Sequence, residues 1–562
     1  MIAPARRADA VAAGGAGVVA LVVYVLTLLP GVGYSGDTAK WQFIGVVGGV
    51  PHATGYPLYV ALDQVWVRLV PFGSIAWRVN LLSAVLGAAT VAVLYVVLRQ
   101  LGLRREVALA TTLVFAFSQT FWSQAVVAEV YTLHLLFLVS VTACLAHWRL
   151  GGANAWLLAG LGLYALSFGH HLTTGLALPG IAWLVWNDRH RALTARNVAF
   201  VVAAALVGAA QYLYLLRLSD VGGYHEGRID TFGDILGYVT GGEFKDSMFI
   251  FSWYGLLVGR VPMLFRFLRH EYFVLLVPMA YGVWHGVRRA SSPARRDVAI
   301  HLALLGALSA VYVLNYDVPD VIVFCLPLFL VLAVFLGVAI EAGLTRLSER
   351  RAAADDVDDV DEVTAAGGAA ANGDGNGTGS GSNGHVADDP RPAPGLDRRA
   401  RLAVACGLAA LVAVVAAVDY GRSSQRGTTD DAERIERAIA AAGTGAVLLT
   451  DDYVDSEYFW YYLLGEGLGE ERDLALANQV QPRDVARWFS SRTGPVAAAA
   501  RAVDQPDPPL YTATAHQAVL LVDHGMAIDE VAPGVWRVTP GEPESGPEPG
   551  SETGPTEAAQ PR

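Results

Sequence analysis

Apolar residues run together in stretches long enough to cross ~30 Å of hydrocarbon, which takes about 20 helical residues. Eleven such stretches are predicted to be transmembrane helices, near 11–31, 79–99, 107–126, 130–148, 155–171, 172–187, 197–216, 272–288, 298–316, 321–345 and 401–418. The fifth and sixth are short and abut at Gly169-His170-His171, which predicts a tight hairpin. The first run is long and no Ala-x-Ala site follows it, so no cleavable signal peptide is expected. Between residues 38 and 72 the spacing changes. Trp41, Phe43 and Ile44, then Leu58, Tyr59, Leu62, Val65, Trp66 and Leu69, recur at helical intervals, with Asp63 and Arg68 off the stripe. Two amphipathic helices at the membrane surface fit this pattern. Residues 349–399 begin with an acidic run, Asp355 to Glu362, and continue into Gly, Asn and Ser, which predicts a disordered cytoplasmic linker. After the eleventh stretch (400–418), residues 428–540 alternate helix and strand signals. An amphipathic helix over Asp430 to Ala442 precedes a buried strand at Ala446 to Thr450. A helix start follows at Ser456, and a further strand at Leu474 to Asn478. This predicts a small α/β domain. A Pro-, Glu- and Gly-rich tail, 541–562, is expected to be disordered.

Composition supports the membrane reading. Hydrophobic residues make up 54% of the 562 and charged residues 16%, against about 25% charge in soluble domains; mean hydropathy is +0.40. An α-helical polytopic membrane protein is expected, and a cytosolic enzyme is excluded. The net charge of −12 argues against nucleic acid and other polyanions as partners. The three cysteines, Cys144, Cys325 and Cys406, lie in apolar runs, which excludes a disulfide scaffold or a Cys-based zinc site.

Positive charge sets the orientation. With Arg6 and Arg7 inside, alternate loops carry Arg104-Arg105, Arg189 with Arg191 and Arg196, Arg288-Arg289 with Arg295-Arg296, and Arg346 with Arg350 and Arg351. The opposite short loops, near Glu129, His170 and Asp317, carry neither Lys nor Arg. The N-terminus is therefore expected in the cytoplasm, and the 38–72 helices and the C-terminal domain outside the cell membrane.

Ionisable groups at membrane depth cost ~2.5–3.5 kcal/mol each on insertion scales, so they need a reason. Here they gather at outer turns: Asp37, His52 and Tyr56; Glu129 and His134; His170 and His171; Asp317 and Asp320. Each has a plainer reading. Asp37 is placed to cap a helix starting at Thr38. His52 precedes a Gly55-Tyr56-Pro57 turn, Glu129 is in reach of His134, and Asp317 and Asp320 flank Pro319. His170 and His171 look like a metal-ligand pair, but neighbours on a helix point about 100° apart, so no metal site is assigned.

The motifs themselves carry a resemblance. Ser35-Gly36-Asp37-Thr38-Ala39-Lys40-Trp41-Gln42-Phe43 is followed by Pro51-His52-Ala53-Thr54-Gly55-Tyr56-Pro57-Leu58-Tyr59 and by Arg78-Val79-Asn80-Leu81-Leu82-Ser83-Ala84. Ala128-Glu129-Val130-Tyr131, Gly169-His170-His171 and Asn315-Tyr316-Asp317-Val318-Pro319-Asp320 follow in order. This series resembles the protein O-mannosyltransferase-like membrane family of the GT-C glycosyltransferase superfamily, over about residues 10–345. Two positions depart: the family's acidic residue three after the Asp is Lys40, and its double proline is Ala53-Thr54.

The resemblance implies a GT-C-like fold and an inverting glycosyltransferase. It would take a sugar, mannose or another hexose, from a polyprenyl-phosphate carrier in the membrane lipid to a protein Ser/Thr or glycan hydroxyl on the extracytoplasmic face. Asp37 would serve as general base. Lys40, His52, Arg78, His170 and His171 are candidates to meet the departing phosphate, with Glu129, Asp317 and Asp320 to orient the acceptor or the histidines, and Tyr56 as an apolar wall. The resemblance assigns no resident cofactor, the lipid-linked sugar being the donor substrate, and a divalent metal is left open. Two other classes remain: a transporter or flippase for lipid-linked sugars, and a non-catalytic envelope scaffold.

Overall fold

The computed structural model describes residues 2–33, 37–240, 242, 244–368 and 398–541, with the side chains of 2–6, 352–368 and 398 left out. Most of the acidic and Gly-rich linker (369–397) and the tail from 542 lie outside the described residues. The chain divides into two compact units, 1–30 with 44–427 and 31–43 with 428–562.

The first unit is helical. Helix α1 (Ile2–Leu26) is followed by α2 (Thr38–Val47), which begins in the second unit, then α3 (Pro57–Leu69), α4 (Ile75–Gln100), α5 (Arg105–Ala116), α6 (Gln119–Ala125) and α7 (Tyr131–Arg149). Among the described residues, seven helices are long and apolar enough to cross a membrane: Arg7–Leu26, Ile75–Gln100, Tyr131–Arg149, Ala195–Val221, Pro293–Leu314, Val321–Arg351 and Arg399–Ser423. The other four predicted stretches are helical but shorter or broken. The 107–126 stretch is split between α5 and α6 at Phe117 and Ser118, where Ser118 turns extended at ψ 144°. The 155–171 stretch is helical over Asn154–Ser167, 172–187 contains Leu178–Asn187, and 272–288 overlaps Leu276–Arg289.

The core is built from large apolar side chains on the inward faces of these helices, among them Tyr24, Phe115, Phe121, Trp122, Trp148, Phe329 and Phe335. Close helix approach needs small residues. A Cβ on Gly282 would lie 1.8 Å from the Phe335 carbonyl oxygen, so glycine is what lets Leu276–Arg289 meet Leu326–Gly368. Outward faces stay apolar: Val198, Val201, Val202, Leu206 and Val207 are exposed along Ala195–Ala210. A bilayer covers such faces, and helices satisfy their own backbone groups there. Helix Leu326–Gly368 runs through the acidic segment, so helix continues to Gly368 where composition predicts a linker from 349. A short parallel pair, β1 (Gly49–Val50) with β2 (Tyr224–His225), ties the 49–50 segment to the chain after residue 221.

The second unit holds a five-stranded sheet. Strand β3 (Ala446–Leu449) is flanked by β4 (Leu474–Ala477) and β5 (Leu510–Thr512), both parallel to it. The antiparallel pair β6 (Met526–Ala532) and β7 (Val535–Pro540) extends the sheet beyond β5. β3 is buried at all four positions, as expected of a central parallel strand covered on both faces. Asp452 caps helix Tyr453–Trp460 by accepting from the Asp455 N–H at 2.9 Å. Residues 31–43 pack against this helix. Gly33, at φ +96°, leaves room for the Tyr458 ring, which a Cβ would meet at 1.9 Å. Gln42 closes the segment, accepting from Gly33 N–H at 2.9 Å and donating to Gly31 O at 3.2 Å.

Candidate functional site

In the second unit, Asp37 stands in the turn before α2, and Lys40 follows one helical turn later. The Lys40 ammonium is fully buried and lies 2.9 Å from Asp37 Oδ1. It donates to Tyr453 Oη at 2.7 Å and sits 4.0 Å from Glu457 Oε1. Tyr453 Oη donates to Asp37 Oδ1 at 3.2 Å. Asp37 Oδ1 thus accepts from both Lys40 and Tyr453 while a third of the side chain stays exposed. A carboxylate so ordered and still accessible has the chemistry of a general base.

In the first unit, the predicted histidines converge with aromatics. His52 lies edge-on to Tyr56 with ring centres 5.3 Å apart, and Tyr56 meets His171 at 5.7 Å and His170 at 6.1 Å. Tyr59 stacks on His170 at 5.7 Å, and His134 lies 4.7 Å from His171. The turn at 52–56 makes this possible. Tyr56 takes a left-handed φ of 43°, uncommon for a residue with a Cβ, immediately before Pro57 opens α3. Leu58 N–H then donates to Gly169 O at 2.8 Å, fastening the start of α3 to the His170 turn. His170 Nε2 donates to Val130 O at 2.8 Å, so that nitrogen carries its proton and is committed. Thr173 Oγ1 bridges His171 Nδ1 (2.7 Å) and His134 Nε2 (3.2 Å). Among the described residues no three His, Cys, Asp or Glu side chains gather to hold a metal ion.

Glu129 is buried, its backbone locked to Ser83 by reciprocal hydrogen bonds of 3.1 and 3.2 Å. The Arg78 guanidinium donates to the carbonyls of Gly73 (2.9 Å) and Val67 (3.3 Å), closing the turn between α3 and α4. Asp317 pairs with Arg260 at 3.3 Å, and Asp320 begins the short turn Val321–Cys325. Arg260 escapes sequence reasoning because it lies 57 residues from Asp317. Tyr131 and Phe324, which pack around His171, carry only the generic signal of aromatics in apolar runs. Tyr453 and Glu457 carry none that connects them to Asp37.

Comparisons with known proteins cover the motifs between residues 42 and 194. Residues 42–194 match the family described as protein O-mannosyl-transferase TMEM260 N-terminal domain. The protein O-mannosyl-transferase TMEM260 of Mus musculus is 29% identical over 202 residues, 34% of this chain and 28% of the relative. Its Dictyostelium discoideum counterpart is 23% identical over 212 residues, 34% of this chain and 26% of the relative. The chain thus spans little more than a quarter of the length of the curated relatives it matches. In fold, ArnT from Cupriavidus metallidurans, solved bound to undecaprenyl phosphate, superposes with a TM-score of 0.57 at 14% identity, covering 93% of this chain and 96% of that one. This is a polytopic helical membrane protein that shares its fold with ArnT, and over residues 42–194 its sequence resembles the N-terminal domain of the protein O-mannosyl-transferase TMEM260.

Proposed function

We propose that this protein is an inverting membrane glycosyltransferase. It moves a hexose, mannose foremost, from a polyprenyl-phosphate carrier to a protein Ser/Thr or glycan hydroxyl on the extracytoplasmic face of the cell membrane. The single observation that carries the reading is the Asp37 carboxylate, ordered by two donors yet a third exposed. It lies five residues before the segment that matches the O-mannosyl-transferase family. The chemistry follows. The acceptor hydroxyl oxygen attacks the anomeric carbon, and the bond from that carbon to the phosphate oxygen breaks with its electron pair. The hydroxyl proton passes to Asp37, and the carrier leaves as polyprenyl phosphate. A phosphate is a good leaving group, so one base suffices where glycosidases need an acid as well. One displacement inverts the anomeric centre.

His52, His171 and Tyr56 are assigned to the donor's sugar and phosphate, and Asp317, Asp320 and Glu129 to acceptor orientation. Arg78 closes a turn and His170 Nε2 is committed to Val130, so both act by holding the loops. ArnT binding undecaprenyl phosphate supports a lipid-linked donor, and the relatives' names support a protein acceptor. The eleven apolar stretches are taken as spans, with the N-terminus cytoplasmic and the sheet-bearing domain outside.

The test is transfer of labelled hexose from polyprenyl-phosphate mannose, and from the glucose and galactose analogues, by membranes containing the full chain. Asp37→Asn is expected to lose at least about 100-fold in rate at normal expression. Equal transfer by both proteins would remove Asp37 as the base. Absence of transfer from every donor would favour a flippase or scaffold.

A further inference from the structure

We infer that Tyr453 and Lys40 are positioning residues for the Asp37 carboxylate, so that the helix after β3 supplies part of the transfer site; this rests on Asp37 being the base. Donor inventory fixes the direction of each bond. An ammonium only donates, so Tyr453 Oη accepts from Lys40 Nζ at 2.7 Å and spends its one hydrogen on Asp37 Oδ1 at 3.2 Å. Lys40 Nζ donates to the same oxygen at 2.9 Å. Two donors from different parts of the chain, 413 residues apart, therefore hold one carboxylate oxygen. A rotamer fixed this way keeps the base in line with an incoming hydroxyl.

Glu457 explains how the arrangement survives the proton transfer. Its carboxylate is buried, 4.0 Å from the same ammonium. When Asp37 takes the acceptor's proton, its charge disappears, and a buried Lys40 with no other counter-charge would be destabilised. Glu457 remains as that counter-charge, so protonating Asp37 strands no cation. Lys40 is thereby an internal strut. Its side chain is fully buried, with oxygens of Asp37, Tyr453 and Glu457 within 4.0 Å of the ammonium.

The experiment is a kinetic cycle on the full chain in detergent, with polyprenyl-phosphate mannose as donor, comparing wild type, Tyr453→Phe, Asp37→Asn and the double variant. Tyr453→Phe removes one hydrogen bond to a charged group, so kcat is expected to fall about tenfold. The KM for donor should stay within about twofold, since the phenol touches the base and not the donor. In the Asp37→Asn background the same change is expected to have no further effect, because the group it positions is gone. A role in folding alone would act equally in both backgrounds. Wild-type kcat in Tyr453→Phe, or a tenfold loss repeated in the Asn background, overturns the inference while leaving Asp37 as base. Wild-type transfer by Asp37→Asn removes both together.

Discussion

Asp63 shows how far a single residue can be read from its neighbours in sequence. The apolar stripe of α3 puts it on the polar side, yet it is fully buried, its carboxyl against Gly45. A Cβ on residue 45 would lie 2.4 Å from Asp63 Oδ2, so the pocket exists only because α2 presents a glycine there. No periodicity reports such a contact. Burial pushes the Asp63 carboxyl well above the usual carboxylate range. An acid raised in the folded state favours folding below its ordinary pKa, and that stability is lost as pH rises through the shifted value. Asp63→Asn keeps the shape and removes the charge. Its thermal midpoint in detergent is expected to exceed wild type at about pH 8, the gap closing toward about pH 4. A gap independent of pH would contradict this. Asp37 contrasts with Asp63. Its place in a motif singles it out in the sequence as the proposed base, while its partner Tyr453, 416 residues on, carries no such mark.

At the scale of elements, periodicity finds helices and misses their interruptions. Every apolar stretch expected to span contains helix, because twenty apolar residues in succession have few other ways to satisfy their backbone. The break after Phe117 depends on how Ser118 meets its surroundings and leaves no mark on hydropathy. In the α/β part, the strands at 446–449 and 474–477 fall where the apolar runs do, since fully buried parallel strands are short and continuous. What ties their helices together was not legible. Asp455 accepts from Arg434 Nη2 at 2.5 Å, from Arg434 Nη1 at 3.0 Å and from Thr514 Oγ1 at 2.9 Å. One carboxylate thus joins Asp430–Ala442, Tyr453–Trp460 and the chain after β5. Bidentate, largely buried pairs are costly to break, because the partner cation is left behind. Asp455→Ala is expected to lose about 2–3 kcal/mol of stability. Chemical unfolding of the full chain, followed by tryptophan fluorescence, measures it. A loss below about 0.5 kcal/mol would mean solvent compensates Arg434.

For the whole molecule, the sequence is most informative about the plane of the membrane and least about which distant segments belong together. Residues 31–43 cluster with 428–562 through close approaches such as the Tyr458 ring against Gly33 and Phe43 against Gly465, which no composition statistic contains. The proposed orientation, by contrast, is argued from the loops, because translocating arginine is unfavourable and its distribution accumulates over many crossings. Arginines cluster in the loops near 104, 189–196, 288–296 and 346–351, with none in the alternate short loops. The proposed transfer chemistry depends on this, since the Asp37 segment must face the side opposite those arginines. Single cysteines resolve it in a chain whose natural Cys144 and Cys325 are buried, once exposed Cys406 is replaced by alanine. Ser291 lies in an arginine-bearing loop and Ser490 in the sheet-bearing unit, and both are exposed. A membrane-impermeant maleimide applied to intact cells is expected to label Ser490→Cys and to reach Ser291→Cys only after permeabilisation. The reverse pattern would place Asp37 on the cytoplasmic side, where nucleotide sugars are available. The need for a lipid-linked donor would then fall with the orientation.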